Sequence, residues 1–194
     1  FPDMHPKTKL EFAGLVAVAD TLRPSARAAI ATARRAGVSV RMITGDHLET
    51  AYAIGRKLGL VDSRDQVFDS RLMADMTDDQ LALAAHNARV FSRVTPENKF
   101  RILQVLKLKE VTAMTGDGVN DVPALANAHV GVAMGSGSQI AKDAGDIILL
   151  NHDFASIVRA MREGRIIFSN IRRMLFYLLS TNIGEVLTTI GALI

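Results

Sequence analysis

The chain has no cysteine, which excludes a disulfide framework and any thiolate metal site and leaves the compartment open. It also has almost no excess of charge. Its 23 Lys and Arg stand against 20 Asp and Glu, a formal net charge of +3. So slight a balance makes no electrostatic footprint for nucleic acid. No basic stretch followed by an apolar one opens the printed residues, so nothing there reads as a secretory signal. Internal repeats and low-complexity linkers are missing too. What remains is 194 residues with 48% hydrophobic and 22% charged side chains, the composition of one globular domain with a real core. The first residue is Phe1 rather than Met, and Ile194 falls inside an apolar run. Both ends look cut, and the expectation is a segment of a longer protein.

From Leu10 to Asp146 short apolar runs alternate with helical stretches. Strands are predicted at Leu15 to Ala19, Val38 to Ile43, Val90 to Phe91, Val111 to Thr115, Val130 to Met134 and Ile147 to Leu150. Helices are predicted at Pro24 to Ala36 (Asp20 and Thr21 as caps, Gly37 as stop) and at His47 to Leu58, closed by Gly59. Others follow at Thr77 to Asn87, at Pro96 to Lys109 with Thr95 as cap, and at Val122 to Ala128. This alternation predicts an α/β fold: a Rossmann-type parallel sheet with helices on both faces. Ligands of such sheets gather outside the carboxyl ends of the strands. Three polar clusters fall there: Asp20 to Arg23, Thr44-Gly45-Asp46, and Thr115-Gly116-Asp117-Gly118.

The last segment differs in kind. From Met174 to Ile194 the only formally charged side chain is Glu185. As a helix the run is about 30 Å long, enough for a bilayer's hydrocarbon core. Arg172 and Arg173 flank its start, which places residues 1–173 on the cytoplasmic side of a membrane. The other reading is a buried amphipathic helix. Asn182 and Glu185 are three apart and share a helix face. Ionisable groups in a bilayer mark ion paths, and both side chains offer oxygen to a hard cation; alternatively the pair holds helices together. The division expected is 1–153 for the α/β domain, 154–173 for a stalk and 174–194 for a transmembrane helix.

The strongest chemical signal is Thr115-Gly116-Asp117-Gly118-Val119-Asn120-Asp121-Val122-Pro123-Ala124-Leu125. Gly116 and Gly118 permit unusual backbone angles and close approach of a ligand. Asp117 and Asp121 offer hard oxygens suited to Mg²⁺, and the Asn120 amide can donate to a phosphoryl oxygen or orient a carboxylate. A lone Gly-Asp-Gly is usually a solvated turn; eleven residues in this order are not. Gly135-Ser136-Gly137-Ser138 reads as a connector, and Lys142 and Asp143 as surface.

The eleven-residue string resembles the hinge motif of P-type ATPases, members of the haloacid dehalogenase superfamily, with Val122 where that family usually has Ala. The likeness extends over roughly Leu10 to Ile194. Met42-Ile43-Thr44-Gly45-Asp46 resembles the family's second motif, and Phe91-Ser92-Arg93-Val94-Thr95-Pro96-Glu97-Asn98-Lys99 the segment carrying its lysine. Asp20-Thr21-Leu22-Arg23-Pro24 resembles the Asp-Pro-Pro-Arg hinge, with both hinge prolines replaced. The resemblance implies a haloacid-dehalogenase-like domain that handles ATP and Mg²⁺. Lys99, Thr44 and Asn120 would stabilise the phosphoryl group. Asp117, then Asp121, would hold Mg²⁺. Gly45, Asp46, Arg93 and Arg23 would meet the nucleotide. Ser180 to Glu185 resembles the fifth transmembrane helix of calcium pumps. Sodium/potassium pumps commonly have Pro where this chain has Gly184, so the implied cargo is Ca²⁺, with Na⁺ or K⁺ as alternatives. The implied partners are ATP, the cation and the lipid bilayer, with a stalk joining the domain to the membrane.

One element of the resemblance is missing. No Asp-Lys-Thr-Gly-Thr string, the family's nucleophile motif, occurs in the chain, nor does the nucleotide-binding domain inserted after it. Two other readings stand beside the pump segment. A soluble phosphatase of the superfamily needs an Asp-x-Asp near the amino terminus, and Asp3, the only aspartate before Asp20, has no such partner. A truncated, non-catalytic membrane protein that regulates an intact pump needs no nucleophile. The chain by itself is therefore expected to form no acid-stable, hydroxylamine-sensitive phosphoenzyme from ATP; a labelled band in such an assay overturns the reading.

Overall fold

The computed structural model describes residues 12–14, 16, 21–151 and 153–193. The strand expected at residues 15–19 and the cap expected at Asp20 lie outside the described residues, apart from the isolated Val16. Among the described residues six strands alternate with seven α-helices. The first is α1 (Pro24–Arg35), with Pro24 at its first position, where a missing N–H costs nothing. Thr21 does not cap it; the N-cap is Arg23, whose side chain makes no capping bond. Gly37, at φ 78°, turns the chain out of the helix. Then come β1 (Met42–Ile43), α2 (Leu48–Leu58), β2 (Val67–Asp69), α3 (Asp78–Asn87), β3 (Val90–Ser92) and α4 (Pro96–Lys107). After these follow β4 (Ala113–Gly116), α5 (Val122–Asn127), β5 (Val130–Met134), α6 (Gln139–Ala144), β6 (Ile147–Leu149) and α7 (Phe154–Ala192).

The signals of the next helices act as read. Gly59 closes α2 in the left-handed region at φ 72°. Thr77 and Gln80 form a reciprocal capping box on α3. The Thr95 hydroxyl accepts from the Asn98 N–H ahead of Pro96.

Among the described residues all strand pairs are parallel, but they form two three-stranded sheets, ordered β1-β3-β2 and β4-β5-β6, rather than one. Among the described residues β1 and β4 each pair on one side only. The strand expected from Val38 is paired only at Met42 and Ile43, because its neighbour β3 starts at Val90 and the first ladder bond is Met42 N–H to the Arg89 carbonyl, 2.9 Å. The strand β2 was not expected. Val67 and Phe68 are two apolar residues between polar turns, too short a run to show periodicity.

Successive strand residues face opposite ways, so β3 feeds two cores. Phe91 packs with Met73, Leu81, Ile102 and Val105 from the α3 and α4 side. Val90 packs with Ile30, Ala51 and Val61 from the α1 and α2 side. The second sheet has its own core of Met114, Ala124, Leu125 and Ala141, into which α4 inserts Leu103. At the amino ends of β1 and β4 the Arg41 guanidinium forks onto both Glu110 oxygens, at 2.8 and 3.2 Å.

The expected stalk and final apolar segment are one continuous helix. At 39 residues, α7 is about 58 Å long. Its base is tied down. Asp153 caps it through the Ala155 N–H, 3.0 Å, and accepts from the Ser25 hydroxyl, 2.9 Å. Further along, Arg165 donates to the Ala36 carbonyl at the end of α1, 2.9 Å. Beyond Arg173 every described side chain is exposed, from Met174 to Leu193. Among the described residues no helix is long and apolar enough to cross a membrane; Ser180 to Asn182, Glu185, Thr188 and Thr189 interrupt the apolar run.

The Arg41 fork holds the Glu110 carboxyl below the usual range. A carboxylate with a depressed folded value stabilises above its unfolded value and loses that contribution as pH falls through the folded one. Glu110→Gln is therefore expected to cost about 1–2 kcal/mol at neutral pH, with the difference from wild type closing below about pH 4; urea titrations across that range measure it.

Candidate active site

The turn after β4 is built around Asp121. This residue is 7% exposed, and its Oδ2 accepts from the N–H groups of Asp117 (3.2 Å) and Gly118 (3.4 Å). Its Oδ1 takes the Lys99 ammonium from the first turn of α4. Gly116 makes room for this. A Cβ there would stand 2.5 Å from the Asp121 Cβ. Contrary to the sequence expectation, neither turn glycine needs an unusual angle: positive φ occurs at Gly14, Gly37 and Gly59, not at 116 or 118. Gly116 supplies space for Asp121, and a Cβ on Gly118 would meet nothing closer than 3.9 Å, so that side of the turn is open to a ligand.

Asp117 and Asn120 are exposed, and among the described residues neither side chain has a hydrogen bond or ion pair. The Asp117 carboxylate thus presents free oxygens, and Mg²⁺ needs only one or two carboxylates when phosphate and water complete its shell. Among the described residues no group of three acidic or imidazole side chains converges to hold a metal. The donor set fits a magnesium held through Asp117. Asp121 is more heavily engaged, with Lys99 on one oxygen and two backbone N–H groups on the other, and in this arrangement it anchors Lys99 and the turn.

A second group forms at the carboxyl ends of β1, β3 and β2. Thr44 follows β1, donates its hydroxyl hydrogen to Asp46 Oδ2 (2.8 Å), and accepts from the Asp46 N–H (3.1 Å). Gly45 lies at the tip of this turn, exposed. Arg93 follows β3 at φ 54°, the one described non-glycine residue with positive φ, and its N–H donates to the Asp46 carbonyl, 2.9 Å. Such a backbone costs energy and concentrates at functional sites. The Arg93 guanidinium lies 3.9 Å from Asp69 Oδ2, with its Nε buried and without a hydrogen-bond partner. Asp69 is itself gripped by Arg71 at 2.7 Å. That hydrogen bond, with the charges of Arg71 and Arg93, holds its carboxyl below the usual range against the opposing effect of burial.

Asp69 and Arg71 were missed by sequence reasoning. Their only signal was a place at the end of a strand too short to be read. Arg23 precedes α1, and its charge is among those that lower the Asp153 carboxyl at the base of α7. Asn182 and Glu185 lie exposed on the outer half of α7, apart from both groups.

A description of haloacid dehalogenase-like hydrolases matches residues 4–129, and a second of the same kind matches residues 101–161. The chain belongs to the haloacid dehalogenase-like hydrolases. Within that family it is 45% identical over 190 residues to the probable cation-transporting ATPase F of Mycobacterium tuberculosis, covering 95% of this chain and 21% of that protein. It is 43% identical over 182 residues to calcium-transporting ATPase 1 of Lactococcus lactis, covering 93% and 21%. A solved zinc-transporting PIB-type ATPase in an E2·Pi state superposes with a TM-score of 0.62 at 29% identity, over 79% of this chain and 21% of that one. The chain spans about a fifth of the length of the curated relatives it matches.

The two aspartates of the turn should separate by stability. Asp121→Ala leaves a half-buried Lys99 without its partner and is expected to cost about 3–5 kcal/mol. Asp117→Ala is expected to stay within about 0.5 kcal/mol. Denaturant unfolding of both variants measures the contrast; equal costs would mean that Asp121 is not the anchor.

Proposed function

We propose that this chain is the magnesium- and phosphoryl-handling segment of an ATP-driven cation pump that works through an aspartyl-phosphate. The observation that carries the reading is Asp117. It is an exposed carboxylate, unpartnered among the described residues, on a turn fixed from beneath by Asp121 and Lys99, in a chain whose matched relatives are named as cation- and calcium-transporting ATPases. Phosphoryl transfer is mainly positioning and charge neutralisation. When bound, Mg²⁺ supplies charge to screen phosphate from the attacking carboxylate. Asp117 holds that ion, and Lys99, at the amino end of α4, sets a cation and a helix terminus at the same place. Thr44 turns its hydroxyl from Asp46 to a phosphoryl oxygen, while Asn120 donates its amide. Gly45, Asp46 and Arg93 meet the nucleotide. Among the described residues β1 and β4 each keep an unpaired edge, which leaves room for further strands of the family's sheet, and the two are tied together at their bases by Arg41 and Glu110.

The outer half of α7 is the membrane element in this reading, with residues 1–173 cytoplasmic. Alone it is less apolar than a single span must be. Among other helices that is what an ion-binding helix requires: polar positions turned toward neighbours. Thr181, Thr188 and Thr189 donate their hydroxyls to carbonyls four residues back, at 3.0, 2.7 and 2.8 Å, which lowers the cost of burying them in lipid. Asn182 and Glu185 ligate the cargo, and Ca²⁺ is the ion favoured by the names of the matched pumps. In vesicles carrying the intact protein, ATP-dependent uptake of labelled Ca²⁺ is expected. Glu185→Gln should weaken apparent Ca²⁺ affinity about tenfold, a loss on the order of 1–3 kcal/mol for one charged ligand. Uptake of another ion with Ca²⁺ ignored would sink the choice of cargo; no ATP-dependent uptake of any cation would sink the pump.

A further inference from the structure

The turn between β5 and α6 read as a connector in the sequence, yet it stands directly behind Asp117. Gly137 donates its N–H to the Met134 carbonyl (2.8 Å), and Gly135 donates to the Leu149 carbonyl of β6 (2.9 Å), so the turn is pinned to the second sheet. The next N–H, of Ser138, donates to the carbonyl of Asp117, 2.9 Å. The Ser138 hydroxyl in turn accepts from the Ala141 N–H, 3.2 Å, which fixes Ser138 as the cap of α6. Gly137 does not have positive φ, so angle is not the reason for glycine. Space is. A Cβ at 137 would lie 2.6 Å from the Asp117 carbonyl oxygen, 3.0 Å from its Cα and 2.9 Å from the Met134 carbonyl oxygen, all backbone atoms that cannot rotate away.

We propose that Gly137 and the Ser138 N–H are positioning residues for the magnesium carboxylate, setting where the backbone of Asp117 stands. The Asp117 side chain has no partner among the described residues, so its place depends on its main chain alone. That main chain is held from two sides, by Asp121 on its N–H and by Ser138 on its carbonyl. Mg²⁺ accepts little departure from octahedral geometry at about 2.0–2.1 Å, so a backbone pushed by a methyl group at 137 is felt in the metal step first. ATP itself, gripped on the side of Thr44 and Arg93, is felt less.

The inference rests on Asp117 holding Mg²⁺, and the test separates the two. In the intact pump carrying this segment, phosphoenzyme formation from ATP is measured against Mg²⁺ concentration for Asp117→Asn, Gly137→Ala, Ser138→Pro and Ser138→Ala, with Gly164→Ala as a control whose Cβ meets nothing within 4 Å. Thermal midpoints and ATP affinity are measured alongside. Proline fits Ser138, whose φ is −60°, and it removes the N–H; comparison with Ser138→Ala subtracts the lost cap. Gly137→Ala is expected to raise half-saturating Mg²⁺ about tenfold, the usual cost of disturbing an outer support of a metal ligand. Signal should return at high Mg²⁺, and apparent ATP affinity should be little changed. Ser138→Pro should exceed Ser138→Ala in the same direction. If Asp117→Asn shifts the Mg²⁺ curve while Gly137→Ala and Ser138→Pro do not, the inference fails alone. If Asp117→Asn leaves the curve in place, the magnesium assignment beneath it fails. Should Gly137→Ala not fold, the pair of Ser138 variants decides.

Discussion

The two half-sheets act as one body because both lean on α4. That helix divides its faces by spacing. Ile102 and Val105 enter the core under β3, while Leu103 enters the core under β4. Lys99, Leu103 and Lys107 recur every fourth residue and so lie along one side. Lys99 reaches Asp121, Leu103 reaches Met114, and Lys107 reaches the carbonyl of Asn127, all in the second half. On the other side Arg101 binds Asp78 and the carbonyls of Met73 and Met76 ahead of α3. The apolar contact that joins the halves and the cation that serves the site thus share one helical stripe. A change that rotates α4 moves both, so the aim of Lys99 is coupled to packing rather than left to a free side chain.

Steric room governs the site more than backbone freedom does. Gly116 admits the Asp121 side chain, Gly137 admits the Asp117 backbone, and Gly131 admits the Leu125 carbonyl, which a Cβ would meet at 2.6 Å. Each lets a polar group approach to a distance that a methyl would forbid. The layered arrangement follows: Leu125 against β5, Asp121 against β4, and Asp117 against the turn after β5. At the outer edge of this stack a Cβ on Gly118 would meet nothing closer than 3.9 Å and Asp117 is exposed, and on the proposed reading a phosphate and its metal enter there.

Local chemistry was the legible part. Caps at Thr77 and Thr95, the proline start of α4 and the glycine close of α2 depend on neighbours within four residues, which a sequence displays directly. The polar clusters at Thr44 and Asp117 could be placed at strand ends for the same reason. The division of the sheet was not legible, since it depends on which strands find partners and not on any strand's own pattern. Nor was β2, whose two apolar residues carry no period, and with it went Asp69 and Arg71. The bond from Ser138 to Asp117 joins positions 21 apart through a turn of weak signal. The anchoring role of Asp121 was hidden for a related reason. A carboxylate four residues from another looks like a second ligand until burial and Lys99 claim its oxygens.

On the proposed reading, the distance along α7 decides how the two ends of the molecule communicate. From Asp153 to Glu185 the helix rises about 48 Å, while charges in physiological salt are screened beyond about 8 Å. Phosphorylation near Asp117 therefore cannot be felt electrostatically by an ion beside Glu185. Movement must carry the signal, and the structure supplies a continuous rod for it, without a break from Phe154 to Ala192. The rod is held at its base by Ser25 on Asp153 and at the end of α1 by Arg165 on Ala36. Both clamps involve α1, which also covers the core beneath β3 through Ile30. A tilt of the first half-sheet is thus passed to α7 through α1 at two points about 18 Å apart along the rod, a spacing that transmits rotation as well as translation. One clamp would act as a pivot; two make α1 and the lower part of α7 a single lever.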